Sequence, residues 1–470
     1  MSCFLILSIL LILSKSLCVI CVFADQTDSA NGSGANSEAD RVVRLNKEVI
    51  SLYRQSNYEE ALARCIETCE IARRSLGEEH PEFGSCISNL GLIYKTTGKY
   101  GLAEPLLKQS LEISRKVYGE NDPDFVTSLN NLASLYSDTG RYAEAEALHL
   151  RALDIIRAGA GEQNAFFVKS LNNLASLYKS MGNYVDVEPL YNKAADIYLK
   201  ISGADGPDYA VILHNLAQYY YLAGRYSEAE STYRKSLDII GKTLGEQHPA
   251  YARTLNNLGS VYEAMGNYSG AESLYRQALQ IFTSKLGKQS TESAAALNNL
   301  AGLYKTIGDY DRADSFYRQA NDIRRAALGE NSIEFAAGLN NAADLYYLTG
   351  KFDAAEQLYL KVLQVQRSSL GEKHPDVALS LQNLAALYKT MGRYPEAESL
   401  YRQALDIWEA TLGLCLETEI RMPVRLSFFK TISTRFRGCM PLGCWPFVLL
   451  LPCICRLSDT GVGVPMRLSG

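Results

Sequence analysis

The residues best placed to do chemistry in this chain are asparagines that return every 42 positions. Asn89, Asn131, Asn173, Asn215, Asn257, Asn299, Asn341 and Asn383 form one unvarying row. Beside it runs a second row, Ser88, Asn130, Asn172, His214, Asn256, Asn298, Asn340 and Gln382. Seven residues after the second row stand Lys95, Ser137, Lys179, Tyr221, Glu263, Lys305, Tyr347 and Lys389, which differ most from one to the next. A carboxamide donates and accepts together, so it can pair with the backbone of an extended peptide; Lys and Tyr add charge and stacking. A ligand is not itself periodic, so rows that vary suit recognition. The unvarying row suits bonds between neighbouring elements of the stack equally well.

Catalytic constellations are not found. The sequence holds no Gly-rich phosphate loop, no HExxH and no Gly-x-Ser-x-Gly elbow. His149 and His214 have no Cys or His nearby in sequence. A carboxylate row, Glu104, Glu146, Glu188, Glu230, Glu272, Asp314, Glu356 and Glu398, falls early in a helix, where a helix N-terminus favours negative charge. The expectation is therefore a non-enzyme with no cofactor and no metal. Net charge is −5. Seven Lys/Arg against three Asp/Glu after residue 413 give that stretch +4, so residues 1–413 carry −5 − 4 = −9. An acidic body argues against nucleic acid, which needs a basic stripe.

The elements that position these rows follow from punctuation. Glycines recur in two ladders 42 residues apart, one from Gly77 to Gly413 and one from Gly98 to Gly392, the second followed two residues on by Tyr or Phe. In the unit opening at Asp122, Pro123 suits a first helical position and Leu129, Leu132, Ala133 and Tyr136 make an apolar helical stripe. Gly140 ends that helix, and a second runs from Tyr142 until Gly161. Where proline is missing at the joint, the cap is Asn164, Ser290 or Ser332; His80, His248 and His374 occupy three of the proline joints. Small residues recur at Ala133, Ala175, Ala217 and Gly259 on first helices and at Ala103 and Ala145 on second ones, letting helix axes approach. Nine such units in phase predict a stacked array over 41–413.

The small residue of the first helix, the Gly-x-Tyr turn and the small residue of the second resemble the tetratricopeptide repeat in a 42-residue form. The stretches LNNLA (129–133), GRYAEAE (140–146) and LGEKHPDVA (370–378) are similar to repeats of kinesin light chain. The resemblance covers about residues 47–413. It implies an all-α, right-handed superhelical solenoid of about nine helix-turn-helix units whose concave groove takes a protein or peptide. At about 100° per residue, Thr127, Asn130, Asn131, Ser134, Ser137 and Asp138 fall on an arc from about 80° to 200°, away from the core stripe; in the family this arc lines the groove. The partner-binding set expected here is Asn130, Asn131, Asn172, Asn173, Lys179, Asn215, Tyr221, Asn256, Asn257, Asn298, Asn299, Lys305, Asn340, Asn341, Tyr347, Asn383 and Lys389. The turn tyrosines Tyr184, Tyr226 and Tyr268 are expected to be buried.

Kinesin light chain carries heptads before its repeats, and here residues 1–24 are apolar and 25–40 a polar linker without heptads. A peptide-binding scaffold is thus the first reading and a cargo adapter for microtubule motors the second. Residues 1–24 read as a secretory signal ending at Ala24, or as a membrane anchor, which places the protein in an extracytoplasmic or membrane-attached setting; a cytoplasmic one is the alternative. Cys65 and Cys69, spaced i,i+4, read as buried small hydrophobes. After Gly413 the pattern stops: residues 414–470 have neither helical nor strand period and concentrate Cys, Pro and Arg, an irregular tail of the kind a frame change or retained intron in the gene gives. Deleting 414–470 is expected to leave helical content and the melting of the array nearly unchanged. Calorimetry of the truncated chain checks this, and a large loss of cooperativity would show that the tail caps the last unit.

Overall fold

The computed structural model describes residues 37–412 apart from Ser56. These are helices and short turns with no strand among them. The helices pair into nine units: Glu38–Arg54 with Tyr58–Leu76, Pro81–Thr96 with Tyr100–Tyr118, Pro123–Asp138 with Tyr142–Gly159, Ala165–Ser180 with Tyr184–Ser202, and Pro207–Leu222 with Tyr226–Thr243. Then follow Pro249–Ala264 with Tyr268–Lys285, Thr291–Ile307 with Tyr310–Leu328, Ile333–Leu348 with Phe352–Leu370, and Pro375–Thr390 with Tyr394–Leu412. The expected register holds at every described turn. The leader 1–24 and the tail 414–470 lie outside the described residues, and among those described no helix is long and apolar enough to cross a membrane.

Each boundary has a local cause. At Gly140 the backbone takes φ +72°, a left-handed conformation that side chains with a Cβ resist. At the joints, the Nδ1 of His80, His248 and His374 accepts the backbone N–H two residues on at 3.1 Å. Asn164, Ser290 and Ser332 accept from the residue three on. Lost prolines are replaced by capping side chains, as the sequence implies.

First helices of neighbouring units also touch one another, which sets them on the inside of the winding. Their small residues Ala133, Ala175 and Ala217 are fully buried, and so are Ala103, Ala145 and Ala229 on the second helices. Gly259 shows why size matters there: a Cβ would sit 2.6 Å from the Tyr275 ring. A second row laces the units together. Tyr178, Tyr220, Tyr262, Tyr304, Tyr346 and Tyr388 each donate to the carboxylate of the preceding unit, at 2.6 to 3.0 Å. The carboxylate row thus has a partner beyond the helix terminus: a phenol, joined at three places by Arg141, Arg225 or Arg393 lying over the tyrosine ring.

The turn tyrosines depart from expectation. Tyr184 and Tyr268 are 41% exposed, because the residue after the turn starts the second helix at the edge of the stack. The buried aromatic row stands seven residues further on: Tyr191, Tyr233, Tyr275, Tyr317 and Tyr359 lie between the two helices of their units. Their hydroxyls find partners, Ser176 for Tyr191 at 2.9 Å and Ser260 for Tyr275 at 3.0 Å. His149 fills this position in the third unit, with Nδ1 2.9 Å from Asn130 Oδ1. Burial pulls its pKa down to about 4 from 6.5.

Two outcomes follow. Tyr275→Ala should cost about 3–5 kcal/mol, as large aromatic truncations in cores do, whereas Tyr268→Ala should cost under about 1 kcal/mol; urea unfolding of both variants checks the contrast. The His149 effect has a definite sign. The unfolded imidazole, near 6.5, binds a proton that the folded one, near 4, refuses, so protonation favours unfolding. This contribution is fully present above about 6.5, and stability falls as pH drops from there toward 4. His149→Tyr, which places there the residue of the fourth to ninth units, should flatten that part of the melting temperature's pH profile, and an unchanged slope would assign the acid sensitivity elsewhere.

Candidate functional site on the inner wall

The first helices present the asparagine rows to their neighbours before they present them to solvent. Asn89 Nδ2 donates to Asn46 Oδ1, Asn215 to Asn172, Asn341 to Asn298 and Asn383 to Asn340, at 2.9 to 3.2 Å. Asn131 reaches Ser88 Oγ at 3.2 Å and Asn257 reaches His214 Nε2 at 3.1 Å. Each bond runs to the unit before, 43 residues back. Asn130, Asn131, Asn172, Asn215, Asn256, Asn257, Asn298, Asn340, Asn341 and Asn383 are all buried. The arc placed them away from the core, and that expectation fails. A first helix in the middle of the stack is flanked by two others, so its sides are covered as well as its back.

The third row is laced in the same way. Lys95 Nζ binds Ser134 Oγ at 2.8 Å and Asp138 at 2.9 Å in the next unit. Lys179, 3% exposed, binds the next unit's Gln218. Thr306 donates to Glu263 at 3.1 Å, and Tyr347 meets Thr390 at 2.9 Å. Lys305 lies buried between Glu263 and Asp344. Burial alone would lower its pKa, and Tyr317 and Asp344 raise it above the usual lysine value. Burial pushes both Glu263 and Asp344 up, with Lys305 opposing. Burial also raises Tyr221. These are charges compensated inside a wall, at the cost of desolvation.

The periodic lacing is broken at identifiable places. His149 takes the acceptor of Asn130, so Asn173 makes no rung and stays half-buried. Asn299 makes none either, and Asn256 Oδ1 is buried without a partner. His214 replaces an asparagine and still carries two bonds, to Asn257 and, through Nδ1, to Thr254 at 3.0 Å. Burial, with Arg253 and Lys179 nearby, pulls it down to about 3, so it is neutral at ordinary pH. Lys389, whose successor unit would lie past the described residues, is exposed.

Sequence reasoning missed a cavity of about 90 Å³ on the inner wall of the first three units. Asn46, Ser88, Asn89, Asn131, Gly84 and Ser114 line it. Its origin is periodic. Ser114 holds a position filled by Ile156, Ile240 and Phe282 in other units, and its Oγ is buried without a hydrogen-bond partner. Gly84 stands where Val126 and Val168 follow, and a Cβ there would be 3.0 Å from Ile113. Comparing units at that position would have found it. Cys65 and Cys69 are buried as read, Cys86 is buried with them, and all three are free. Hydrogen bonding among the thiols, then burial, pushes Cys69 and Cys86 far up, which leaves them poor nucleophiles.

A Rap protein complexed with competence and sporulation factor resembles this chain at a TM-score of 0.53 and 16% identity, over 80% of this chain and 99% of its own, a likeness of fold. A Podosopora anserina protein described as a kinesin light chain with nearly identical TPR-like repeats is 25% identical over 44% of this chain and 97% of its own, at 0.37. BtubC (BKLC) from P. vanneervenii is 24% identical over 63% and 95%, at 0.32. No curated protein matches the chain. The tetratricopeptide repeat profile matches residues 45–116, 85–158, 167–242, 229–284, 252–326 and 334–410, well over half the sequence. With this register, turn chemistry and lacing, the chain belongs to the tetratricopeptide repeat family.

Proposed function

We propose that this protein is a non-catalytic scaffold that holds an extended peptide or partner segment along its inner wall. The observation that carries the reading is the combination of a fixed polar wall with unfilled capacity at its breaks. Most amides are committed to rungs, and those bonds hold the wall in shape before any ligand arrives, which lowers the ordering cost of binding. The groups left for a ligand are fewer than the asparagine rows suggest: Asn173, Asn299, Tyr221 and Lys389, together with Lys47 and the cavity above Ser114. Half-buried amides can bond a peptide backbone, and the cavity can take one side chain. The Rap protein, alike in fold, is itself complexed with a partner, the competence and sporulation factor. Residues 1–24 are taken as an export or anchoring segment, which sequencing the N-terminus of the mature chain would test at Ala24.

The ladder residues are the wrong ones to mutate for binding. Asn172, Lys179, Asn256, Asn298 and Lys305 are buried, so replacing them together should unfold part of the array, since each orphaned partner costs about 1–3 kcal/mol. The informative variants are Lys47→Ala, Asn173→Ala, Asn299→Ala and Lys389→Ala combined, and separately Ser114→Ile, which fills the cavity with the side chain of neighbouring units. Both should keep the parent's melting temperature within a few degrees and weaken peptides selected on an array of extended sequences by tenfold or more, about 1.4 kcal/mol. Parent-like binding by both variants would remove the inner wall from consideration.

A further inference from the structure

Equivalent groups along this chain meet different surroundings, and the difference follows the winding. His80, His248 and His374 hold the same place in their units and make the same capping bond. His248 is exposed, His80 half-buried and His374 only 4% exposed. Ser290 and Ser332, the joints of the seventh and eighth units, are buried as well. The turn glycines change in the opposite sense. Gly98 is buried and Gly140 half-buried, while Gly182, Gly224, Gly266, Gly308, Gly350 and Gly392 are exposed.

One seam explains both trends. Gly98 lies against Ser332 and Ile333, where an added Cβ would be 3.6 Å from Ile333 N. Gly140 lies against His374 and Pro375, where a Cβ would be 3.1 Å from the imidazole. Tyr100 packs on the cluster of Ile333 and Phe335, and burial raises its pKa. Second helices meet across the seam too, those of the first and seventh units and those of the second and eighth. The winding therefore brings the turn of each unit over the joint of the sixth unit after it. Within the chain this is possible only for the turns of units one to three and the joints of units seven to nine.

What remains is a matched pair of free edges. Among the described residues nothing lies over the turns of units four to nine, and Tyr184, Tyr268, Tyr310 and Tyr394 stand 40% or more exposed there with Met265 and Ile307 alongside. Among the described residues no turn lies beneath the joints of units one to six. The two edges are six units long each, carry the residue types that already meet in the intrachain seam, and repeat at the same spacing.

We propose that a second copy of this chain covers the free turn edge, its first six joints seated on the last six turns of the first copy as the seventh to ninth joints sit on the first three turns. The occupant is a copy of the chain because the surface continues an interface the chain already makes with itself, and the joint edge it needs is on the same molecule. Such contact is head-to-tail. Two different patches meet, so each added copy leaves a fresh edge and growth does not stop at two.

The test is the mass of the full chain in solution, followed by sedimentation velocity and light scattering from low to high micromolar concentration. The expected result is a mass that climbs with concentration beyond two chains without a plateau. Tyr268→Arg with Tyr310→Arg, on exposed rings, should return the protein to one chain mass with its circular dichroism unchanged. Leu150→Arg, exposed on a second helix away from the turns, should leave association intact. A single-chain mass at every concentration, a dimer that does not grow, or association that survives the double substitution would each overturn the proposal.

Discussion

The bond on which the rest depends is the one an asparagine makes to the unit 43 residues before it. It closes at 2.9 to 3.2 Å only if each unit is turned against the last by the same amount, and that requires every unit to have the same length. One inserted residue would swing all later side chains by about 100° on their helices. The strict 42-residue spacing, the glycines that end each helix and the small residues where axes cross all serve this one condition. Stability in such an array is close to a sum of nearest-neighbour interfaces. The rungs on the inner side and the tyrosine–carboxylate pairs reaching back to the preceding unit hold each interface at two separate places.

The cost of this construction is polar burial. Lys95, Lys179 and Lys305 sit inside the wall, and Glu263 and Asp344 are desolvated enough to be pushed toward their protonated forms. Each is tolerated because a partner comes from the adjoining unit, Asp138 for Lys95 and Gln218 for Lys179. A buried pair adds little net stability but is costly to break on one side. These pairs therefore act mainly on register: a unit displaced along the stack would leave a lysine without its acceptor.

Much of the fold was legible. Joints, caps, turns and buried alanines follow from local rules applied to one unit and checked against the others. The site was less so, for a physical reason. Angular placement treats a helix as if only one side met protein, which suits a helix on the surface of a globule. In a stack both flanks are covered, so Asn130 and Asn172 are buried although they point away from the hydrophobic stripe. The turn tyrosines failed for the converse reason, since a residue at the rim of every unit gains cover only where the winding brings the joint of a later unit against it. That cover depends on a pitch accumulated over six units, and no single repeat encodes it.

Periodicity itself indicates where to look for function. A row repeated without change is explained once its partner in the next unit is known, and the asparagine row is explained in this way. What the lacing does not account for lies where the period slips: Ser114 in place of a large residue, His149 drawing Asn130 from its rung, Asn256 left with a bare oxygen. A buried polar atom without a partner costs about 1–3 kcal/mol. Nearest-neighbour stacking gives no reason to keep such atoms, and a ligand that satisfies them would recover that energy. On the proposed reading, recognition would fall to the departures from the repeat more than to the rows that first draw the eye.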